Sequence, residues 1–233
     1  MKTITVLIPA YNEEAVLPQL FARLKDLQKT IKKYRLELLF INDGSSDDTL
    51  TMIQREAKKN SSIAYVNLSR NFGKEAGMLA GFDYAKGDAV VIIDADLQDP
   101  PELIPQMIEL WEQGYDDVYA RRRSRQGETW LKKKTSEWYY RILQKSTRIP
   151  IQRDTGDFRL LDRRCIEALR LLRESQRNTK ALFSWIGFNK KELLYDRDPR
   201  AAGDTKWNYS KLINLAIDGV TSFTTAPLRM SSI

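Results

Sequence analysis

The stretch VVIIDADLQDPPE, residues 90–102, decides the fold of this chain and much of its chemistry. Its four β-branched residues in succession predict a strand buried on both faces. The strand leads into Asp94 and Asp96, and side chains at positions i and i+2 of an extended chain point the same way. Two such carboxylates repel each other unless a cation binds them, and Mg²⁺ and Mn²⁺ prefer oxygen ligands. The alternative is a solvated acidic turn in which an aspartate caps the next helix.

Strand-like and helix-like segments alternate on both sides of this stretch. Predicted strands cover Thr3–Pro9, Leu36–Ile41, Ile63–Leu68, Ala89–Ile93 and Asp117–Ala120. Predicted helices cover Glu13–Ile31, a segment from a capping-box pattern at Ser45 to about Lys58, Lys74–Ala85 and Pro101–Glu112. This order predicts an α/β fold with a doubly wound, mostly parallel sheet and helices on both faces. Such sheets bind ligands outside the carboxyl ends of their strands, which is where Asp94 and Asp96 stand.

Composition excludes several classes of site. The 233 residues include no histidine, which excludes a Ser-His-Asp triad, a histidine base and a histidine-ligated zinc. The one cysteine, Cys165, cannot form an intrachain disulfide, and this fits a reducing cytoplasm. Neither a G-x-G-x-x-G motif after the first strand nor a P-loop is present, so a bound nucleotide would depend on strand-end carboxylates and a metal. The sequence contains no run of about 18 apolar residues, so no membrane span is predicted.

Positive charge is concentrated in one segment. Residues 121–148 hold ten basic and two acidic residues, a net charge of +8, while the whole chain carries +7. Such a patch predicts a polyanion, an anionic membrane or a phosphorylated substrate as partner. Trp130–Lys145 and Tyr209–Phe223 are predicted amphipathic helices. Aromatic residues interleaved with the basic residues favour a membrane interface over a solvated helix face. A nucleic-acid partner would explain none of the carboxylate motifs, so none is predicted.

Six motifs occur in the order found in a known enzyme family. They are IPAYNEE (8–14), INDGSSD (41–47), NFGK (71–74), DADLQDPPE (94–102), TGDFRL (155–160) and RAAGDTKW (200–207). Together they resemble the family 2 glycosyltransferases of the GT-A fold. The last two resemble the polyprenyl-phosphate sugar transferases, of the dolichyl-phosphate mannose synthase and bactoprenol glucosyltransferase type. The resemblance runs from Ile4 to about Phe223, with one conservative departure at Asp204-Thr205, where the family more often has Glu-Ser.

On the donor side, the resemblance implies a UDP-sugar or GDP-sugar and Mg²⁺ or Mn²⁺ as cofactor. The implied nucleotide-sugar site consists of Pro9, Tyr11, Glu13, Asp43, Lys74, Asp94, Ala95 and Asp96. Asp96 is the first implied metal ligand, Asp94 is a second ligand or lies nearer the ribose, and Gln98 adds an amide oxygen. Structural alternatives stay open for four residues: packing for Tyr11, a helix-dipole contact for Glu13, a helix N-cap for Asp43 and a helix-surface position for Lys74.

On the acceptor side, the resemblance implies polyprenyl (undecaprenyl) phosphate. Arg122, Arg200 and Lys206 match positions that meet acceptor or diphosphate oxygens, a task that suits the arginine fork. Asp157 is the second implied catalytic residue beside Asp96, either as a base or as a group that orients neighbouring cations. A phosphate acceptor with a second pKa of about 6 is largely ionised at neutral pH, so direct inverting transfer is expected. We also expect Arg159 to pair with a nearby carboxylate.

The expected organisation is one catalytic domain in two halves. Residues 1–120 form the nucleotide-sugar half, and residues 121–233 form the acceptor and membrane half. The expected location is the cytoplasmic face of the bacterial membrane, and a homo-oligomer is compatible with the sequence. Close relatives continue into transmembrane helices, so the chain is expected to be a truncated catalytic domain. Glucose from UDP-glucose is the expected donor; the alternatives are mannose or another sugar, a soluble polysaccharide or protein glycosyltransferase, and a non-catalytic module with a decayed transferase fold.

Overall fold

A seven-stranded sheet organises the described part of the chain. The computed structural model describes residues 1–123, 155–174 and 177–196. The strands are β1 (Thr3–Ala10), β2 (Arg35–Asn42), β3 (Ile63–Asn67), β4 (Ala89–Ile92), β5 (Asp117–Arg122), β6 (Thr155–Asp162) and β7 (Lys190–Tyr195). The helices are α1 (Leu17–Thr30), α2 (Thr49–Lys59), α3 (Lys74–Tyr84), α4 (Ile104–Glu112, after a 3₁₀ turn at Pro101–Leu103), α5 (Arg163–Leu171) and α6 (Thr179–Trp185). Arg200, Lys206 and the helices predicted at Trp130–Lys145 and Tyr209–Phe223 lie outside the described residues.

The sheet is mostly parallel, as the sequence predicts. Its order is β3-β2-β1-β4-β6-β5-β7, and the first four of these strands pair in parallel. β6 is inserted antiparallel between β4 and β5, and β7 pairs in parallel with β5. The carboxyl ends of the six parallel strands therefore share one edge of the sheet with the beginning of β6. Below, this is called the carboxyl edge.

Helices cover both faces of the sheet, which confirms the doubly wound prediction. Ile4, Val6 and Ile8 of β1 pack in one apolar layer with buried residues of α1 and α4. Leu7 points to the other face, where it packs with buried residues of α3, α5 and α6. Since successive side chains of a strand point to opposite faces, burial on both faces requires the unbroken apolar runs seen in the sequence.

The loops after β1 and β2 differ from the prediction. α1 begins at Leu17 rather than Glu13, and a hydrogen-bonded turn precedes it, in which the Glu13 carbonyl accepts the N–H groups of Val16 and Leu17. The predicted capping box at Ser45 is wrong: the Ser45 hydroxyl accepts the N–H of Asn12 at 3.0 Å, and α2 begins at Thr49 without a side-chain cap. Thr49 itself accepts the N–H of Glu13 at 2.8 Å. These hydroxyls join the two loops instead of capping a helix.

The second half of the chain contributes to the same sheet. β5 crosses the boundary expected at residue 120, and β6 and β7 were not predicted as strands. β6 carries Arg159, a charged residue that is fully buried, and β7 is an edge strand with several exposed charged residues. Charge at these positions hides the strand pattern. None of the helices in the described ranges is both long and apolar enough to span a bilayer.

Candidate active site

The carboxyl edge brings together the sequence-predicted site residues that the structure describes. Pro9, Tyr11 and Glu13 lie at or just after the end of β1, Asp43 follows β2, Lys74 begins α3, Asp94, Ala95, Asp96 and Gln98 follow β4, and Arg122 ends β5. Asp157 comes from β6 and reaches this edge because β6 is antiparallel. The fold thus places residues that are distant in sequence along one side of the sheet.

Lys74 joins two of the predicted carboxylates. The last pair of the β4–β6 ladder is Ile92 with Arg159, and Asp94 and Asp157 each lie two residues beyond it, toward the carboxyl edge. The Lys74 ammonium lies between them, 2.6 Å from an Asp94 carboxylate oxygen and 2.5 Å from an Asp157 oxygen. Lys74 is an exposed residue at the start of α3, and its ammonium is held by both carboxylates. One cation links the donor-side motif at Asp94 to the downstream motif at Asp157.

Asp157 is a buried carboxylate that its surroundings keep ionised. Its side chain is 8% exposed, and its second oxygen, Oδ1, has no hydrogen-bond partner among the described residues. Burial favours the protonated acid, but Lys74 and then Lys180 outweigh it and hold the pKa of Asp157 well below its usual range. Burial likewise opposes the charge on Lys74, but Asp157 and Asp94 raise the pKa of Lys74. Both groups are charged at neutral pH.

The two aspartates of the Asp-x-Asp motif follow β4 rather than lying within it. β4 ends at Ile92, and the chain turns through Leu97, whose φ is +60°. The alternation expected of an extended chain therefore does not relate Asp94 to Asp96. Asp96 is buried and one of its oxygens accepts the N–H of Gln98 at 3.1 Å.

The donor set at this turn fits a hard divalent cation. Among the described residues, no three acidic, cysteine or histidine side chains converge on one point. Mg²⁺ is commonly bound through one or two carboxylates, with substrate phosphates and water completing its shell. Asp96 and Asp94 supply that number of carboxylates, and Asp157, whose Oδ1 is unpartnered among the described residues, shares the Lys74 ammonium with Asp94. The residues present are therefore compatible with a metal shared with a diphosphate.

Asp43 fastens a loop at the carboxyl edge. Its carboxylate accepts the N–H groups of Phe72 and Gly73 at 2.8 and 2.9 Å. Gly44 has a φ of +63°, and a β-carbon there would lie 2.3 Å from the Arg70 backbone, so only glycine allows this close approach. Asp43 does not cap α2, which begins at Thr49. Its two hydrogen bonds set the position of the loop that leads into Lys74.

Two groups of residues at this edge were missed by the sequence reasoning. The Tyr195 hydroxyl donates to Asp99 at 2.5 Å and also hydrogen-bonds Arg122, its partner in the β5–β7 register. Asp99 is buried just before the 3₁₀ turn. The second group is Glu75 and Thr179, which hydrogen-bond each other, together with Lys180, whose charge lowers the pKa of Asp157. No short motif contains either set, because each depends on contacts between distant segments.

Comparison with known proteins agrees with this geometry. A family model described as "Glycosyl transferase family 2" matches residues 5–170. A Synechocystis protein described as "Uncharacterized glycosyltransferase sll0501" is 50% identical over 227 residues, which cover 97% of this chain and 71% of that protein. An Escherichia coli K12 protein described as "Prophage bactoprenol glucosyl transferase homolog" is 42% identical over 227 residues, covering 97% of this chain and 74% of that protein.

A solved structure supports the same fold. The mannosyltransferase PcManGT from Pyrobaculum calidifontis, in complex with GDP-Man and Mn²⁺, superposes with a TM-score of 0.63 at 17% identity. The match covers 91% of this chain and 59% of that one, and it shows the fold alone. The family model covers well over half of the 233 residues, and the mostly parallel sheet with its inserted antiparallel strand matches GT-A glycosyltransferases. The chain therefore belongs to glycosyl transferase family 2.

Proposed function

We propose that this chain is an inverting hexosyltransferase that moves glucose from UDP-glucose onto polyprenyl (undecaprenyl) phosphate at the cytoplasmic face of the bacterial membrane. The observation that carries the proposal is the Lys74 bridge between Asp94 and Asp157, which joins a donor motif to a downstream carboxylate. The bactoprenol glucosyl transferase description of a relative 42% identical supports the choice of lipid and sugar. Residues 1–120 serve the donor, and residues 121–233 serve the acceptor and the membrane.

The donor occupies the carboxyl edge between the ends of β1, β2 and β4. Pro9, Tyr11, Glu13 and Asp43 lie toward the base and ribose, and Lys74, Ala95 and the two aspartates lie toward the diphosphate. Asp96 and Asp94 hold Mg²⁺ or Mn²⁺, with Gln98 as an additional oxygen ligand. The bound cation stabilises the negative charge that develops on the departing diphosphate. Because Lys74 already contacts Asp94, it is placed to meet the same diphosphate.

Transfer needs one displacement. An oxygen of the lipid phosphate forms a bond to the anomeric carbon while the bond from that carbon to the diphosphate breaks, and UDP leaves. Positive charge develops on the sugar in the process. Asp157 is ionised and buried, so it favours that charge and orients the neighbouring cations. A lowered pKa makes it a poor proton acceptor, and an ionised phosphate needs no base.

The acceptor is held by fixed positive charge. Arg122 lies at the carboxyl edge and is bound by the buried Tyr195, which itself donates to Asp99. Arg200 and Lys206 belong to the downstream motif and complete the phosphate site. The basic and aromatic segment after residue 121 meets the headgroup region of an anionic membrane. These charges keep the lipid phosphate in line with the anomeric carbon, and such positioning supplies much of the rate.

A donor screen with a defined acceptor tests the proposal. The protein is incubated with a short-chain polyprenyl phosphate, Mg²⁺ and either UDP-glucose, another UDP-sugar or GDP-mannose. UDP-glucose should give the fastest transfer, and NMR of the product from this α-linked donor should show a β-linked sugar phosphate. Arg200→Ala should strongly reduce lipid glycosylation while nucleotide binding stays intact, and Arg173→Ala, just after the end of α5, is the matched control.

Three results would overturn parts of the proposal. Preference for GDP-mannose would assign a different sugar to the same site. An α-linked product or a trapped glycosyl-enzyme would exclude a single displacement. Transfer to a soluble polysaccharide or protein, with none to the lipid phosphate, would exclude the lipid acceptor.

A further inference from the structure

One carboxylate ties together two helices that are distant in sequence. Glu75, in the first turn of α3, accepts the backbone N–H of Thr179 at 2.9 Å and also accepts the Thr179 hydroxyl. Thr179 is fully buried and is the first residue of α6. We call this pair of hydrogen bonds the Glu75–Thr179 clamp. It joins residues that are 104 positions apart.

Helix capping accounts for only one of these two hydrogen bonds. The backbone N–H of Thr179 is one of the unpaired donors at the start of α6, and Asn178 caps another by accepting the N–H of Ala181 at 3.2 Å. The Thr179 hydroxyl needs no cap, yet it also donates to Glu75, although burial raises the pKa of that carboxyl against the lowering effect of these hydrogen bonds. This second hydrogen bond requires another explanation.

The neighbours of the clamp supply that explanation. Lys74 precedes Glu75 and lies 2.5 Å from Asp157, while Lys180 follows Thr179 and also stabilises the charge on Asp157. Lys74 divides its charge between Asp157 and Asp94, and Lys180 is a second cation whose charge favours the ionised form of Asp157. The clamp fixes the relative position of the two helices that carry these cations.

We propose that Glu75 and Thr179 are positioning residues for sugar transfer, acting through Lys180 and Lys74 to hold the Asp157 carboxylate at the carboxyl edge. The inference rests on the proposed function, because it assigns a reason for the placement of Asp157. It extends the site to α6, which none of the six sequence motifs includes. Neither positioning residue is required to touch the substrate.

Paired substitutions test the clamp. Glu75→Ala removes both acceptor contacts and Thr179→Val removes the hydroxyl, whereas Glu75→Gln and Thr179→Ser keep an acceptor and a donor. We expect Glu75→Ala and Thr179→Val to lower kcat by about 10-fold to 100-fold, the range for a misplaced catalytic group, with little change in the KM for UDP-glucose. The conservative variants should restore most of the rate. Glu56→Ala, which removes a surface carboxylate paired with Lys59, is the matched control.

A double-variant cycle separates positioning from folding. If Glu75 acts through Lys180, then Glu75→Ala should cost much less kcat in a Lys180→Ala background than in the wild type. Rates are expressed per folded molecule, counted by UDP binding. A merely structural role would lower the folded fraction and the melting temperature but leave kcat per folded molecule unchanged, and that result would overturn the inference.

A labelling experiment gives a readout that needs no acceptor. The acetylation rate of Lys180, followed by mass spectrometry against Lys29 as internal reference, should change in Glu75→Ala and Thr179→Val, because α6 is no longer fixed against α3 and Lys180 moves relative to Asp157. Unchanged Lys180 labelling would refute the clamp even if the variants lose activity. A wild-type protein that fails to glycosylate polyprenyl phosphate would refute the proposed function instead, and the labelling result would then decide the clamp alone.

Discussion

Replacing Arg159 with methionine tests the buried ion pair that anchors the strand of Asp157. The Arg159 guanidinium lies 3.0 and 3.2 Å from the two carboxylate oxygens of Asp117, and these side chains are 1% and 0% exposed. This is the pairing expected for Arg159 from the sequence. The guanidinium also lies 3.8 Å from the ring centre of Phe183 on α6. Methionine preserves much of the apolar stem but leaves the Asp117 carboxylate buried without its guanidinium.

The size of the effect follows from complete burial. Removing one partner of a buried ion pair costs about 3–5 kcal/mol, because the remaining charge is uncompensated. The lost contact between guanidinium and ring is partly replaced by a sulfur–aromatic contact worth about 0.3–1.5 kcal/mol. We therefore expect Arg159→Met to lower the free energy of unfolding by about 3–5 kcal/mol. Adding Asp117→Asn removes the buried charge, so the double variant should recover part of that loss.

Urea denaturation at two pH values provides the assay. Burial raises the pKa of Asp117 despite the opposing effect of Arg159, and removing the guanidinium raises that pKa further. An acid with a raised folded pKa contributes stability that is present below its unfolded pKa and is lost as the pH rises through the folded pKa. The deficit of Arg159→Met should therefore be smaller at pH 5 than at pH 7, by about 1.4 kcal/mol for each pKa unit involved.

Two outcomes would refute this reasoning. A loss below about 1 kcal/mol would place the pair in the range of exposed ion pairs and contradict its burial. A deficit that is the same at both pH values, and the same in the single and double variants, would show that the Asp117 charge is not what destabilises Arg159→Met. In the double variant Arg159→Met with Asp117→Asn, the loss in the free energy of unfolding should be the same at pH 5 and pH 7.

Three further predictions concern the site. EDTA should abolish transfer, and Asp96→Ala should do the same without lowering the melting temperature; full activity in EDTA would contradict the metal assignment. Asp43→Ala should raise the KM for the nucleotide sugar far more than for the lipid, whereas unchanged nucleotide affinity by calorimetry would leave Asp43 only its loop-fastening role. Charge reversal at Lys132, Lys133 and Lys134 should weaken binding to anionic liposomes, and added salt should do the same, since each basic residue near the surface contributes about 1 kcal/mol. Binding that does not depend on salt would contradict this membrane prediction.

The first half of the fold could be predicted because its strands carry their own signal. Runs such as Val90–Ile93 are apolar at every position, as burial on both faces requires, and turn residues separate them from helices of 3.6-residue period. β6 gives no such signal, since Arg159 interrupts its apolar run. The arginine is tolerated only because Asp117, 42 residues away, neutralises it. A buried ion pair is a property of two segments, and no local pattern reports it.

The candidate site also divides into residues that local motifs identify and contacts that only the folded chain reveals. Asp94, Asp157 and Lys74 each stand in a motif, so sequence reasoning could name them. Their convergence required the register of β4 against an antiparallel strand that was not predicted. The expectation that Asp94 and Asp96 point the same way as positions i and i+2 of a strand does not apply, because β4 ends at Ile92. Glu75 lies in no motif, and the role inferred for it depends on its contact with Thr179.

The direction of β6 explains how one site can depend on both halves of the chain. In an all-parallel sheet, the carboxyl edge receives only the ends of strands, and the five strands upstream of β6 lie within residues 3–122. The inverted β6 delivers its first residues to that edge, so Asp157 comes from the downstream part of the chain and meets Asp94 through Lys74. Because Lys74 contacts both carboxylates, any group that draws Lys74 away from Asp94 changes the field at Asp157. Under the proposed function, binding of the nucleotide sugar near Asp94 is therefore felt directly at Asp157, the carboxylate assigned to sugar transfer.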